Sequence, residues 1–354
     1  MANGENMIIG AGQDTAHRAP NIPETGFSEI TNERILYDGD GFWYCEIMIT
    51  GTCSFSCSYC NRLKSEIKIN QIYGFIEKYK ISLRHIQITG GEPMEFIGIE
   101  KVCNTIKSNG VKIGLSTNGS ADYDRYVGLG VDMFSISLDD YDVNILEKRG
   151  YKNACGVISN IQKLSQHSYV NVGLVIDSIN VKRVNEIIEF ILRLGVSDIK
   201  LSVNTHDNVM PTFGKNDYSK YPILNYRIRR FKEKKFMRGL NKEDTFKCAL
   251  ALSDISIVGE NHYPCLVYAR EGGIAIGSLD GDIKTDRKLW YKNHSPIIDS
   301  ICRKYCMDFK CEFNREKDRT SCAKSPAQNT VEICHTAPNS ASPKAVQESL
   351  ELGL

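Results

Sequence analysis

The chain has 354 residues, of which 42% are hydrophobic and 25% charged, and its formal net charge is +1. This length and composition predict a globular protein with one large or two smaller cores, and the balanced charge excludes a global attraction to nucleic acid or to an anionic membrane. The sequence contains no apolar run of about 18 residues and no secretory signal pattern, which predicts a cytoplasmic protein. In that reducing compartment the 13 cysteines are expected to be metal ligands and buried thiols.

Residues 1–40 are rich in Gly, Asn, Thr and Pro and are expected to form a mobile N-terminal arm. Strand-like segments then cover residues 43–50, 84–89, 112–117, 133–138, 170–176 and 198–203. Each of the first five is followed by a helix-like segment, such as residues 99–110 and 181–195, which end in glycine. The alternation predicts parallel strands joined by right-handed crossovers, and six such units indicate an open partial barrel or a doubly wound sheet.

Polar loops follow every predicted strand. A cysteine-rich loop follows the first strand, and "GGEP", "NGS", "DD", "DSIN" and "NTHDN" follow the second to the sixth. Because the carboxyl ends of parallel strands meet at one edge of the fold, these loops are expected to build one site. Taken singly, each motif is also typical of an ordinary turn or helix start.

The cysteine-rich loop, "TCSFSCSYC", holds Cys53, Cys57 and Cys60 within eight positions. A closed structural zinc site needs four protein ligands, usually in two separated pairs. A four-iron cluster, by contrast, can bind three thiolates and leave its fourth iron open. The spacing therefore favours an iron-sulfur cluster with one position available to another molecule.

Four motifs in order resemble the radical S-adenosylmethionine (SAM) superfamily: the cysteine loop with its aromatic Tyr59, "GGEP" at 90–93, "STNG" at 116–119 and "SISLDD" at 135–140. The resemblance covers about residues 43–205. It implies an α/β fold, a partial (β/α)6 TIM-type barrel, with a [4Fe-4S] cluster on the three cysteines. It also implies that SAM binds the open iron and is reductively cleaved to a 5′-deoxyadenosyl radical, with the electron supplied by an external reductant of the flavodoxin or ferredoxin type.

The same resemblance implies a SAM pocket. Its residues would be Tyr59, Gly90, Gly91, Glu92, Pro93, Ser116, Asn118, Ser137, Asp139, Arg149 and Ile176. The glycines would let the backbone approach the methionine amino group, and Glu92 would accept a hydrogen bond from it. Arg149 would pair with the cofactor carboxylate or, alternatively, lie on a helix surface. Ile176 belongs first to a buried strand and would border the adenine.

Five segments are expected along the chain: the arm at 1–40, the barrel core at 41–206, a basic linker or helical segment at 207–245, a Cys-rich region at 246–322 and a polar, flexible tail at 323–354. Within the linker, Tyr226–Gly239 has seven basic residues against one acidic residue. This pattern is typical of a solvated helix face, and a contact with an anionic substrate is the alternative.

The Cys-rich region resembles the auxiliary-cluster extensions of the family, the SPASM and twitch domains, although its spacing departs from theirs. The resemblance implies one auxiliary [4Fe-4S] cluster, bound by Cys248 or Cys265 together with Cys302, Cys306 and Cys311. A structural zinc site on the same residues is the alternative, and Cys322 is a further candidate ligand. Three other cysteines, Cys45, Cys103 and Cys155, are expected to be ordinary buried thiols, and Cys334 is assigned no role.

The function implied is hydrogen-atom abstraction from a peptide or a small molecule in a natural-product or cofactor maturation pathway. Radical SAM modification of a nucleotide or nucleic acid is one alternative, a zinc-stabilised nucleic-acid-binding module is a second, and an electron-transfer iron-sulfur protein is a third. About 40 residues before the first strand are too few for a folded peptide-recognition domain, so a peptide substrate is expected to need a separate recognition partner.

Overall fold

The computed structural model of the chain describes residues 41–204, 206–215, 218, 220–221 and 238–323. The predicted N-terminal arm, the tail after residue 323 with Cys334, and residues 226–237 of the basic segment lie outside the described residues. Among the helices that are described, none combines the length and the apolar composition needed to cross a membrane.

Strands and helices alternate as the sequence predicts. The described strands are β1 (Tyr44–Thr50), β2 (His85–Gly90), β3 (Lys112–Thr117), β4 (Met133–Ser137), β5 (Tyr169–Ile176), β6 (Asp198–Val203), β7 (Asp254–Val258), β8 (Asn261–Tyr263) and β9 (Gly277–Ser278). The described helices are α1 (Ile69–Tyr79), α2 (Ile99–Ser108), α3 (Tyr123–Leu129), α4 (Val143–Lys148), α5 (Ala154–Leu164), α6 (Val184–Arg193), α7 (Met210–Phe213), α8 (Leu250–Ser253), α9 (Leu266–Arg270), α10 (Ile283–Asn293), α11 (Ser300–Tyr305) and α12 (Asp308–Ala323). All six predicted strands are confirmed, with ends that differ by at most one residue.

The described residues divide into two compact units. Unit A comprises residues 41–54, 59–113 and 238–323, and unit B comprises residues 55–58 and 114–221. Helices in both units, such as α2 in unit A and α6 in unit B, are amphipathic, with buried residues that recur every three or four positions. The cysteine loop belongs to both units: its two ends lie in unit A and its middle, residues 55–58, lies in unit B.

In unit A, β1 is the central strand. It pairs in parallel with β2 on one side and with β7 on the other, and β8 and β9 continue the sheet with antiparallel pairing. No strand is predicted at β7, because the segment is only five residues long and its pairing partner lies far away in the sequence. Only the tertiary pairing with β1 identifies this segment as a strand.

The strands β2, β1 and β7 have one apolar and one polar face. The register places Glu46 opposite both Gln87 and Ser256, and Tyr44 opposite both His85 and Asp254. Because alternate side chains point to opposite faces of a strand, these six residues share one face. The other face consists of Cys45, Ile47, Ile86, Ile88, Ile255 and Ile257, each at most 1% exposed. The second set forms apolar core. Four residues of the first set, His85, Gln87, Asp254 and Ser256, are also largely buried, at 4–6% exposure, but they are polar.

In unit B, β4 pairs in parallel with β3 and β5, and β5 pairs in parallel with β6. The strand order within the unit is therefore β3-β4-β5-β6. In β5 every second residue is buried, as expected for a strand with one face in the core. The predicted crossovers are also present, since α5 separates β4 from β5 and α6 separates β5 from β6.

Two glycines end β2 where the chain passes against the loop after β1. A Cβ on Gly90, whose φ is +149°, would lie 2.3 Å from the Thr50 carbonyl oxygen, and a Cβ on Gly91 would lie 2.0 Å from that of Thr52. The Gly91 N–H donates to the Thr50 oxygen at 2.6 Å, and the Glu92 N–H donates to the Thr52 oxygen at 2.7 Å. Only glycine allows two backbones to approach this closely.

Arg287 joins three elements of unit A from within the core. Its side chain is 1% exposed, and its Nε donates to the Ala251 carbonyl at 2.6 Å. One terminal nitrogen donates to the Tyr263 carbonyl at 3.0 Å, and the other donates to the Asp254 carbonyl. Burial lowers the pKa of Arg287 to about 10, so the guanidinium is still charged at neutral pH. These bonds connect α8, β7 and β8.

The variant Gly91→Ala should lower the free energy of unfolding by about 1 to 3 kcal/mol, because the added Cβ meets a backbone oxygen that no side-chain rotation can move. Urea denaturation followed by circular dichroism measures this change. Gly74→Ala is the matched control, since open space surrounds that Cβ in α1. Gly74→Ala should raise the free energy of unfolding by about 0.5 to 1 kcal/mol. A Gly91→Ala protein as stable as wild type would contradict the close approach of the two backbones.

The variant Arg287→Leu should lower the free energy of unfolding by about 3 kcal/mol, because three buried carbonyls lose their donor. The midpoint of urea denaturation measures the loss. Lys288→Ala, an exposed neighbour on the same helix, serves as the control and should change stability by less than about 0.5 kcal/mol. Equal midpoints for the two variants would show that Arg287 does not join these elements.

Candidate functional site

The first part of the cysteine loop leaves β1 in unit A. The Ser54 N–H donates to Glu95 Oε1 at 2.8 Å, and Arg62 Nη1 donates to the Cys53 carbonyl at 3.1 Å. Cys53 is half-buried and Cys60 is exposed. The backbone of the loop is thus tied to the turn that follows β2, while both thiols keep access to solvent.

The middle of the cysteine loop belongs to unit B. The buried Phe55 ring lies 5.0 Å from the Tyr151 ring, and the Ser56 N–H donates to the Gly150 carbonyl at 3.2 Å. Gly150 has a φ of +94°, and a Cβ there would lie 2.6 Å from the Ser56 carbonyl. Cys57, which follows directly, is half-buried. A glycine is therefore required after Arg149 for this part of the loop to pack as it does.

Arg149 is buried in a network of charges within unit B. One terminal nitrogen donates to Asp177 Oδ1 at 2.8 Å, and the other lies 3.5 Å from Asp139 Oδ2. Asp139 also accepts from the Tyr151 hydroxyl at 2.9 Å and from the Val175 N–H at 2.8 Å. The alternative that places Arg149 on a helix surface is wrong, because only 1% of its side chain is exposed. A contact of Arg149 or Asp139 with SAM stays a prediction.

The other predicted SAM residues lie at strand ends or in the loops beyond them. Unit A contains Tyr59, Gly90, Gly91, Glu92 and Pro93, and unit B contains Ser116, Asn118, Ser137 and Ile176. Glu92 is 1% exposed and accepts from the Met94 N–H at 3.0 Å, which caps a short 3-10 turn. Asn118 Oδ1 accepts from the Ser120 N–H at 2.9 Å. Local hydrogen bonds thus orient both side chains.

The polar face of β2, β1 and β7 was not predicted from the sequence. Ser256 Oγ donates to Glu46 Oε2 at 3.4 Å, and His85 Nε2 lies 3.3 Å from Gln87 Oε1. The Tyr44 ring stacks on the His85 ring at 5.3 Å. The signal available in the sequence is the alternation of polar with apolar residues in β1 and β2. This face offers hydrogen-bonding groups that are themselves largely buried, since Gln87 is 6% and Ser256 4% exposed.

The five cysteines predicted to bind an auxiliary centre all lie in unit A, and the charges of several of them interact. They are Cys248, Cys265, Cys302, Cys306 and Cys311. The negative charge of a thiolate at Cys302 or Cys306 interacts with both Cys248 and Cys265, and Cys306 is hydrogen-bonded to Cys311. The Cys265 sulfur also caps α9 by accepting from the Tyr268 N–H at 3.4 Å. Segments separated by more than 50 residues in the sequence thus converge.

The surroundings of these thiols fit a metal centre. Burial raises the pKa of Cys248 to about 12, and it also raises the pKa values of Cys265 and Cys302. The Lys310 ammonium opposes this effect at Cys248 and Cys265, but burial is the larger cause. Buried thiols become thiolates most readily when a metal replaces their protons. Zinc and a closed four-iron cluster each bind four thiolates, so five thiols can supply either.

His294 and Asp299 stand beside this thiol set and were not predicted. His294 Nε2 lies 3.6 Å from the Cys302 sulfur, and the potential ligand atoms of the three residues lie within 4.8 Å of one another. Burial lowers the pKa of His294, so its imidazole is neutral at neutral pH. No sequence motif marks this histidine, because it precedes Cys302 by eight positions in an irregular segment.

The remaining cysteines differ from one another. Cys45 and Cys103 are buried as predicted, whereas Cys155 is exposed, so that prediction is wrong. In α5 the buried positions include Ala154 and Val157, and Cys155 lies on the opposite, outer side of the helix. Cys322 lies in α12, and its side chain is outside the described residues.

Comparison with known sequences identifies part of the chain. The model of the Radical SAM superfamily matches residues 47–191. A "Putative glycyl-radical enzyme activating enzyme" of Methanocaldococcus jannaschii is 32% identical over 130 residues, which are 35% of this chain and 48% of that protein. A "Probable GTP 3',8-cyclase" of the same organism is 29% identical over 164 residues, which are 42% of this chain and 55% of that protein. The chain spans about half the length of these curated relatives.

Two solved structures share the fold at low sequence identity. The structure of anSMEcpe with bound AdoMet has a TM-score of 0.53 at 13% identity and covers 80% of this chain and 97% of that chain. Streptococcus suis SuiB bound to S-adenosylmethionine has a TM-score of 0.52 at 13% identity and covers 72% of this chain and 66% of that chain. These similarities confirm the predicted fold class, a mostly parallel α/β partial barrel. Residues 47–191 of this chain therefore form a domain of the radical SAM superfamily, whose members use SAM and a [4Fe-4S] cluster.

Proposed function

We propose that this chain is a radical SAM enzyme that abstracts a hydrogen atom from its substrate. The observation that carries the proposal is the loop with Cys53, Cys57 and Cys60, which follows β1 inside the matched domain. Three thiolates in one loop suit a four-iron cluster with an open iron. Such a cluster, once bound and reduced by an external one-electron donor, supplies the electron that cleaves SAM to methionine and a 5′-deoxyadenosyl radical.

The protein's own residues would bind and orient SAM. Glu92, with its carboxylate held by the Met94 N–H, is the proposed acceptor for the methionine amino group. Asn118 and Ser137 are proposed to bind ribose hydroxyls or the methionine end, and Tyr59 is proposed to border the adenine.

We also propose that the thiol set of unit A binds an auxiliary [4Fe-4S] cluster. Cys302, Cys306 and Cys311 would be ligands together with Cys248 or Cys265. The electrostatic interactions among these thiols, their partial to full burial and the neighbouring Lys310 ammonium support this proposal. An iron-sulfur centre here would accept the electron left after hydrogen abstraction or ligate the substrate.

A peptide or a small molecule of a natural-product or cofactor maturation pathway is the substrate class that we favour. SuiB has been solved bound to its precursor peptide SuiA, and anSMEcpe with a bound peptide, and both share the fold of this chain. The polar face with Glu46, Gln87 and Ser256 would suit a substrate rich in hydrogen-bonding groups. A zinc-stabilised nucleic-acid-binding module would leave the domain at residues 47–191 without a role.

A nucleotide is the second candidate substrate. It is favoured by the relatives named as GTP 3',8-cyclases, of which two match 42% of this chain. A nucleotide would require binding groups for its phosphates, and an anion contact is the alternative prediction for the basic segment Tyr226–Gly239. Incubation of the reduced protein and SAM with GTP, followed by mass spectrometry, distinguishes this candidate from the first.

The protein reconstituted with iron and sulfide under anaerobic conditions should form 5′-deoxyadenosine from SAM in the presence of dithionite. Cys57→Ala should reduce the yield at least 100-fold, because the cluster loses one of its three ligands. Cys155→Ala is the matched control, since that thiol is exposed and outside the motif, and it should retain the wild-type yield. Liquid chromatography of the reaction measures the product, and equal yields from wild type and Cys57→Ala would overturn the proposed function.

Two four-iron clusters should give about eight iron and about eight sulfide per chain after reconstitution. Replacing Cys53, Cys57 and Cys60 together by alanine should leave about four of each, because the auxiliary centre has separate ligands. Elemental analysis and a colorimetric sulfide assay measure these values. About four iron and one zinc in the wild-type protein would instead support the structural zinc alternative and contradict the auxiliary cluster.

A further inference from the structure

Cys302 has a neighbour that an all-cysteine cluster does not require. His294 Nε2 lies 3.6 Å from the Cys302 sulfur, and His294 comes from the end of α10 rather than from the helix that carries the cysteine. Two elements therefore meet at this sulfur atom. Because Nε2 lies within hydrogen-bonding distance of the sulfur, the two side chains form a hydrogen bond in which the histidine tautomer decides the donor.

The imidazole of His294 is fixed in place by its surroundings. Its ring stacks on the Trp290 ring with centroids 4.0 Å apart and an interplanar angle of 16°, and the Tyr268 ring meets it edge-on at 6.0 Å. The His294 N–H donates to the Trp290 carbonyl at 2.8 Å, and the His294 carbonyl accepts from Lys247 Nζ at 2.9 Å. Both the ring and the backbone are thus constrained, so the orientation toward Cys302 persists.

Asp299 supports Cys302 by a different route. Its Oδ1 accepts from the Cys302 N–H at 2.8 Å as the N-cap of α11, and its Oδ2 accepts from the Tyr268 hydroxyl at 3.1 Å. With both oxygens engaged in the fold, Asp299 positions the helix rather than serving as a free ligand for a metal held by His294. The Cys302 sulfur, in turn, interacts with Cys248 and Cys265. We therefore assign Cys302 to the thiol set rather than to a separate site with His294 and Asp299, although the potential ligand atoms of these three residues lie within 4.8 Å of one another.

We propose that His294 donates an Nε2–H···Sγ hydrogen bond to Cys302 as a ligand of the auxiliary centre and thereby raises the reduction potential of that centre. This inference rests on the auxiliary cluster of the proposed function. Reduction adds negative charge, part of which resides on the thiolate sulfurs, so a donor stabilises the reduced form more than the oxidised form. His294 is thus a positioning and tuning residue.

A redox titration monitored by electron paramagnetic resonance tests this role in the full chain. Replacing Cys53, Cys57 and Cys60 by alanine isolates the signal of the auxiliary centre. In that background His294→Phe, which keeps an aromatic ring against Trp290, should shift the midpoint potential to a more negative value. His294→Gln, whose amide can donate, should recover part of the shift. His167→Phe, at an exposed histidine in unit B, is the matched control and should leave the potential unchanged.

A midpoint potential of His294→Phe equal to that of the background protein would overturn the inference. A second measurement avoids the risk that a His294 variant misfolds, because it keeps His294 in place. Pulsed electron paramagnetic resonance of the background protein labelled with ¹⁵N-histidine should show a nitrogen weakly coupled to the auxiliary cluster. A strongly coupled nitrogen would identify His294 as an iron ligand and would overturn the hydrogen-bond role. Absence of any auxiliary signal would also overturn the inference about His294. The proposed function is tested independently, because formation of 5′-deoxyadenosine depends on Cys53, Cys57 and Cys60.

Discussion

The pairing of β1 with two parallel partners is the constraint on which most of unit A depends. With β2 on one side and β7 on the other, β1 has no free edge, and its alternate residues are divided between core and polar face. A slip of one residue would move Glu46 into the core and Ile47 onto the polar face, so the burial of the isoleucines specifies the register. This register determines where the cysteine loop starts.

The end of β1 also explains why "GG" must follow the second strand. The backbone of Gly90 and Gly91 lies so close to Thr50 and Thr52 that any side chain would overlap with an oxygen. The resemblance to the family alone implies a different reason, namely the approach of the methionine amino group. The two reasons are compatible, but only the first follows from contacts within this chain. A motif residue can thus serve the fold of the loop as well as a bound molecule.

Burial of thiols is the second organising feature. Without a metal, the low-dielectric surroundings raise the thiol pKa values, and the cations of Arg287 and Lys310 offset this effect at Cys248 only in part. A bound metal would supply the missing positive charge, which couples metal binding to the stability of this region. The contact between His294 and Cys302 extends the same region, because it adds a polar group beside the sulfur of the half-buried Cys302.

The sequence by itself determined the features that depend on neighbouring residues. The six strands and the three-cysteine loop could be predicted, because alternation and ligand spacing are local patterns. Tertiary structure alone decided that β7 joins β1, that Cys155 faces outward from α5, that Arg149 is buried with Asp177, and that the charges of Cys248 and Cys302 interact. These outcomes depend on pairing and packing between distant segments, and their free energy comes from burial that no short stretch of sequence contains.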